Sequence, residues 1–166
     1  MKVQFADLPD IVLGPLAARP EADWHRAPPG KWCPAQIVEH LALALEWSSQ
    51  GFAERRARAP MVRRPRTIAQ RFGYFFAMTL RWSPPGLKAP KGSTPAERVE
   101  RAATEAKFRA GVARFEELAR LLLPARRHDL FVKHPRMGDL SLEEWMEFHV
   151  IHSRHHAKQI RARLAR

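Results

Sequence analysis

Three helix-start signatures divide this chain and constrain its fold more tightly than any other feature. Cys33-Pro34-Ala35-Gln36, Thr94-Pro95-Ala96-Glu97 and Ser141-Leu142-Glu143-Glu144 each set a small capping residue three places before a Gln or Glu. In that spacing each of the two side chains can answer the other's backbone N–H. Proline suits the first helical position because its missing N–H would have no partner there. Helices are therefore predicted from Pro34 to about Arg58, from Thr94 to Leu123 with Pro124 ending it, and from Ser141 to about Arg163. Along the second of these, Val99, Ala102, Ala106, Phe108, Val112, Phe115, Leu118 and Leu122 recur with the 3.6-residue period of a buried helix face. A shorter helix is read over Asp7 to Ala18, burying Leu8, Ile11, Val12, Leu13 and Leu16, with Pro20 beyond its end. An aromatic-rich helical stretch is read over Thr67 to Trp82, with Phe72, Phe75, Phe76 and Leu80.

No segment alternates apolar and polar residues as a half-buried strand would, so the fold class is all-α. At 166 residues the chain has the length of one domain. The expected architecture is an antiparallel four-helix bundle with a crossover connection and an extra helical segment between helices 2 and 3. Ala27-Pro28-Pro29-Gly30, Ala59 to Arg66, Ser83 to Ser93 and His134-Pro135-Arg136-Met137-Gly138 read as connections. Trp32, Trp47, Trp82 and Trp145 are expected in the core or on the apolar stripes. No apolar run approaches the ~20 residues of a membrane span, and no membrane partner is expected. Cys33 is the single cysteine, which excludes an internal disulfide and a cysteine-rich metal cluster and makes the cytoplasm the expected location.

The charge is lopsided: 29 basic against 17 acidic residues, a formal +12. Nucleic acid, an anionic small molecule and simple Arg-rich solvation all accommodate that excess. The arginines are spread out, are not interleaved with aromatics as a base-stacking platform requires, and come with no zinc-finger or RNA-binding signature. Nucleic acid is therefore not the expected partner.

Four of the eight histidines, His149, His152, His155 and His156, fall within eight residues of the last helix. At about 100° per residue, Trp145, His152, His156 and Arg163 lie within about 20° of one line and His149 and Gln159 within about 40°, while His155 turns about 80° away. His152 and His156, four residues apart, can converge on one ion. A third imidazole is available from His40, which shares a helix face with Gln36, Ile37, Ala44 and Trp47. Three neutral imidazoles leave an open position of the catalytic kind on Zn, Ni or another first-row divalent ion. His149 is open between ligand and outer-sphere donor, and Gln159 between orienting a ligand and touching substrate. Glu39 points about 100° from His40, and Glu46 and Glu144 read as solvent-facing or capping, so no general base identifies itself.

Two stretches resemble the DinB-like superfamily. Lys31-Trp32-Cys33-Pro34-Ala35-Gln36-Ile37-Val38-Glu39-His40-Leu41-Ala42 is similar to its first signature, and His152-Ser153-Arg154-His155-His156-Ala157-Lys158-Gln159-Ile160 to its final-helix motif. His134-Pro135-Arg136-Met137-Gly138 and Leu142-Glu143-Glu144-Trp145 resemble the loop and helix start between them. The resemblance implies a metal-binding, often homodimeric four-helix bundle with His40, His152 and His156 as ligands. It also implies kinship with metal-dependent transferases that use a low-molecular-weight thiol. The chain departs from the pattern at Cys33, where Ser or Thr is usual, and in the Pro and Arg-rich insertion from Ala59 to Ser93. The expected function is a divalent-metal-dependent enzyme activating a thiol or water for transfer to, or hydrolysis of, an unidentified small molecule. The alternative is a non-catalytic helical module that binds metal or an anion.

Overall fold

The computed structural model describes residues 4–82 and 88–165. Its described residues are mostly helical: α1 Leu8–Leu13, α2 Glu21–His25, α3 Pro34–Arg55, α4 Ile68–Tyr74, α5 Arg101–Arg126 and α6 Leu142–Leu164. Among them, no helix is long and apolar enough to cross a membrane.

Two of the three start signatures open helices as expected. Gln36 Oε1 accepts from the Cys33 N–H at 3.1 Å. Ser141 and Glu144 exchange bonds at 3.3 and 2.8 Å, each satisfying a first-turn N–H that the helix itself leaves unpaired. The third signature opens nothing. Thr94 to Glu97 is held instead as an irregular strap across α3, where Ala96 N–H donates to Glu39 Oε2 at 2.7 Å and Ala96 O accepts from Gln36 Nε2 at 3.1 Å. Helix α5 begins seven residues later, capped by Glu100, whose carboxylate accepts from Ala102 and Ala103. At its far end Pro124 lies inside the helix. Arg126 pins that last turn from outside by donating to Asp129 and to the Arg56 carbonyl.

Helices α3 and α5 pack most extensively. Phe108, Phe115 and Leu118 of α5 are buried with Ile37, Leu41, Leu45 and Phe52 of α3. Gly111 lets the backbones approach, since a Cβ there would sit 3.1 Å from that of Leu45. The buried stripe runs Thr104, Phe108, Gly111, Val112, Phe115, Leu118, Leu122, and the expected Ala102 and Ala106 are exposed. With the helix starting late, the face it turns inward is set by Phe108 and Phe115. Helix α1 packs on α6 and α5 through Leu8, Val12 and Leu13, all buried. Among the tryptophans, Trp145 and Trp24 are buried whereas Trp47 and Trp82 are about half exposed, contrary to expectation for the latter two.

The chain is not wholly helical. Phe131–His134 (β1) and Gly138–Ser141 (β2) form an antiparallel hairpin, paired Phe131 to Ser141 and His134 to Gly138. Its turn is the expected loop His134 to Gly138, where Gly138 takes φ +77°, the left-handed position that a three-residue hairpin turn requires. The strands were hidden because each is four residues long and β2 is buried throughout, so no alternation is written into them. Arginines of the preceding loop cover the hairpin. Arg66 donates to the Met137 carbonyl, Arg64 to buried Asp139, and Arg63 to Glu144. The irregular stretch expected over Ser83 to Ser93 falls partly, at 83–87, outside the described residues. It ends in a short 3-10 turn, Lys91–Ser93.

Candidate metal centre

Helix α3 supplies His40 and helix α6 supplies His152 and His156, one turn apart. Their Nε2 atoms converge: His152 Nε2 lies 3.1 Å from both His40 Nε2 and His156 Nε2, and one ring nitrogen of each lies within 4.8 Å of the others. A tetrahedral ion bound 2.0–2.1 Å from each nitrogen would set those nitrogens about 3.3 Å apart. The three histidines are thus close enough to hold a metal ion.

Proton placement supports the fit. The Ser93 carbonyl, 2.6 Å from His40 Nδ1, can only accept, so the His40 proton sits on Nδ1 and its Nε2 lone pair is bare. Gln159 Nε2 donates to His155 at 3.0 Å, which turns its Oε1 toward His156 Nδ1, also at 3.0 Å. His156 therefore also presents a bare Nε2. His152 Nδ1 is buried without a partner. With the His152 proton on Nδ1, three bare Nε2 lone pairs face one another at about 3 Å, an arrangement that a cation relieves by taking up all three, while the Nδ1–H keeps no protein partner in either case.

Burial keeps these rings neutral and ready to ligate. It lowers His40, against the Ser93 bond that raises it. It drives His156 to about 3, with His40 and His155 adding to the effect. It lowers His152 well below the ordinary histidine range, and the neighbouring imidazoles act in the same direction. The indole of Trp32 lies 5.0 Å from the His40 ring, and Phe148 stacks on His152 at 5.1 Å, so apolar walls flank the converging nitrogens. Among the described residues the cluster holds imidazoles and no carboxylate.

The other expected residues divide. Gln159 orients His156 as described. Gln36 is not at the cluster: it ties the strap whose Ser93 carbonyl fixes His40. Trp145 is a core residue, its indole N–H donating to Val132 O at 3.0 Å. His149, 1% exposed, stays outside the trio. It stacks on Trp145 and hydrogen-bonds Ser48 Oγ at 2.9 Å, and burial lowers it to about 3. Glu144, expected at the solvent or as a cap, does cap α6 and is also gripped by Arg63, Arg66 and Tyr74. Sequence reading missed Phe148 and the Ser93 carbonyl. Phe148 was findable, four residues before His152 on the same helical face. A backbone carbonyl leaves no mark in a sequence.

Fold and cluster together define a mostly helical protein with a three-histidine centre able to hold a metal. A family model described as Protein of unknown function (DUF1569) matches residues 4–163, and the chain belongs to that family. No curated protein matches it, and no solved structure does.

Proposed function

We propose that the chain is a divalent-metal-dependent enzyme of the DinB-like type, a single four-helix-bundle domain made from α1, α3, α5 and α6. The convergence of three Nε2 atoms from two distant helices carries this reading, because protons alone leave that trio unsatisfied. His40, His152 and His156 are the ligands. A bound Zn or Ni ion would lower the pKa of a thiol or water in its open position and so supply a nucleophile at neutral pH. Ser93 and Gln159 hold the Nδ1 protons that keep two Nε2 atoms free, and Trp32 and Phe148 keep bulk water from the ligands' flanks. The nucleophile is a low-molecular-weight thiol or water, used for transfer or hydrolysis on a small molecule. Homodimer formation and a cytoplasmic location belong to the same reading, through the resemblance.

Elemental analysis of protein purified without an affinity tag tests it. One ion per chain is expected, lost in His40→Ala and in His152→Ala, together with thiol-dependent consumption of an electrophile. Full metal content in either variant would overturn the ligand set. Metal without turnover would favour the non-catalytic module.

A further inference from the structure

Helix α4 and the π-helical turn that follows it, Phe75–Thr79, turn an apolar stripe to solvent. Ile68 is 75% exposed, Phe72 61%, Phe75 47%, Leu80 52% and Trp82 48%, while Met78 on the opposite side is buried. Two uncommon backbone features build the stripe. Ile68, Phe72 and Phe75 share a face by ordinary helical spacing, but in a continued α-helix Leu80 would rotate away from it. The i to i+5 bond from Leu80 N–H to Phe75 O, 3.0 Å, brings it back above Phe75. Arg81 then adopts φ +51°, a left-handed position that favours glycine, and the chain folds back so that Trp82 N–H reaches Phe76 O at 3.0 Å. The Trp82 ring closes against Phe76, centroids 5.5 Å apart, the apolar contact that accompanies such a helix end. Both features gather apolar side chains on the outside of the molecule, where they bring the core no gain.

The charge around the stripe indicates what covers it. From Arg55 to Ala96 the sequence holds ten basic residues and no Asp or Glu; Arg63, Arg64 and Arg66 among them are paired with Glu144 and Asp139, while Arg58, Arg71, Arg81 and Lys88 are exposed. Arg71 stands exposed within the stripe. The nearest acid to Arg81 is Glu147 of α6, 3.9 Å away. A second copy would bring the same cations against themselves. Nucleic acid would stack on the aromatics, but Ile68 and Leu80 offer it no π-face. Mixed aliphatic and aromatic side chains with interspersed arginines match an anionic lipid surface, where apolar groups enter the headgroup boundary and guanidinium groups meet lipid phosphates.

We infer that the face formed by Ile68, Phe72, Phe75, Leu80 and Trp82 docks the protein peripherally on anionic membranes. Such peripheral contact needs no membrane-spanning helix, and among the described residues there is none. Co-sedimentation of the full chain with phosphatidylcholine vesicles, with and without phosphatidylglycerol, tests the inference. Binding is expected only to the anionic vesicles, weakening as salt rises. The double variant Ile68→Ser/Phe72→Ser should bind at least about tenfold more weakly, since both side chains would enter the lipid. Because both are exposed, it should melt like the wild type. Arg71→Glu, an exposed charge reversal, should weaken binding without touching the apolar stripe. Absence of binding at low salt overturns the proposal, as does undiminished binding by both variants. A stable dimer that the double variant converts to monomer would assign the face to a second copy. Tighter binding to a single-stranded oligonucleotide than to vesicles would assign it to nucleic acid.

Discussion

Replacing His152 by alanine separates the metal-binding reading from a purely structural one, because the two predict opposite effects of added metal. In metal-free protein the ring is a mixed asset. It stacks on Phe148, but its Nδ1 is buried without a partner, a penalty of about 1–3 kcal/mol. Losing the stacking and losing the penalty offset each other, so the metal-free variant should melt within a few degrees of the wild type. Metal changes the comparison. At a free concentration 100 times its Kd, an ion that binds only the folded chain adds about 2.7 kcal/mol. At about 2–4 °C per kcal/mol for a domain of this size, the wild-type Tm should rise by about 5–11 °C. The variant keeps two imidazoles and loses the nitrogen that lies 3.1 Å from both others, so its increment should fall below about 2 °C. Differential scanning calorimetry of chelator-stripped wild type and variant, with zinc or nickel titrated in, measures both quantities. Equal increments in the two proteins, or none in the wild type, would refute the reasoning.

Three further outcomes follow from the packing and charge of the same structure. Gln159→Leu removes the acceptor that orients His156 and should weaken metal binding about 10- to 100-fold; an unchanged Kd in competition titration would remove Gln159 from the centre. Phe115→Ala empties a fully buried site against Phe5, Phe52 and His149 and should cost about 3–5 kcal/mol in urea unfolding, so a loss below about 1 kcal/mol would contradict the packing described. The Arg64 guanidinium beside Asp139 holds that carboxyl below its ordinary 3.8. The pair's contribution is therefore full above pH 3.8 and lost as pH falls through the lower folded value. Arg64→Ala should accordingly be destabilised most at neutral pH and converge on the wild type in acid, and a gap independent of pH would exclude the pair as its cause.

Helices were the legible part of this chain, and the reason is local. The Cys33-to-Gln36 and Ser141-to-Glu144 signatures act over one turn, so the residues that write them also satisfy them. Thr94 to Glu97 carries the same pattern yet is drawn out by Gln36 and Glu39, about sixty positions away in sequence. There a tertiary hydrogen bond to a non-helical backbone overrides the local cap. The hairpin went unread for a related reason: with both faces of β2 covered, burial erases the alternation that marks a strand. Glu144 shows the same limit, since its capping role was visible and its three side-chain partners from the loop and α4 were not.

Four-residue spacing on α6 was enough to show that His152 and His156 lie on one face, because helical geometry is rigid over a single turn. His40 could be named as a candidate but not positioned. Its meeting with the α6 pair depends on how α3 packs against α6, and its proton on a carbonyl delivered by a strap that forms only when α3 captures it. Pattern within an element is set by backbone geometry and can be read from residues in order. The distance between nitrogens on different elements is set by the packed core, and only the folded chain brings them to about 3 Å.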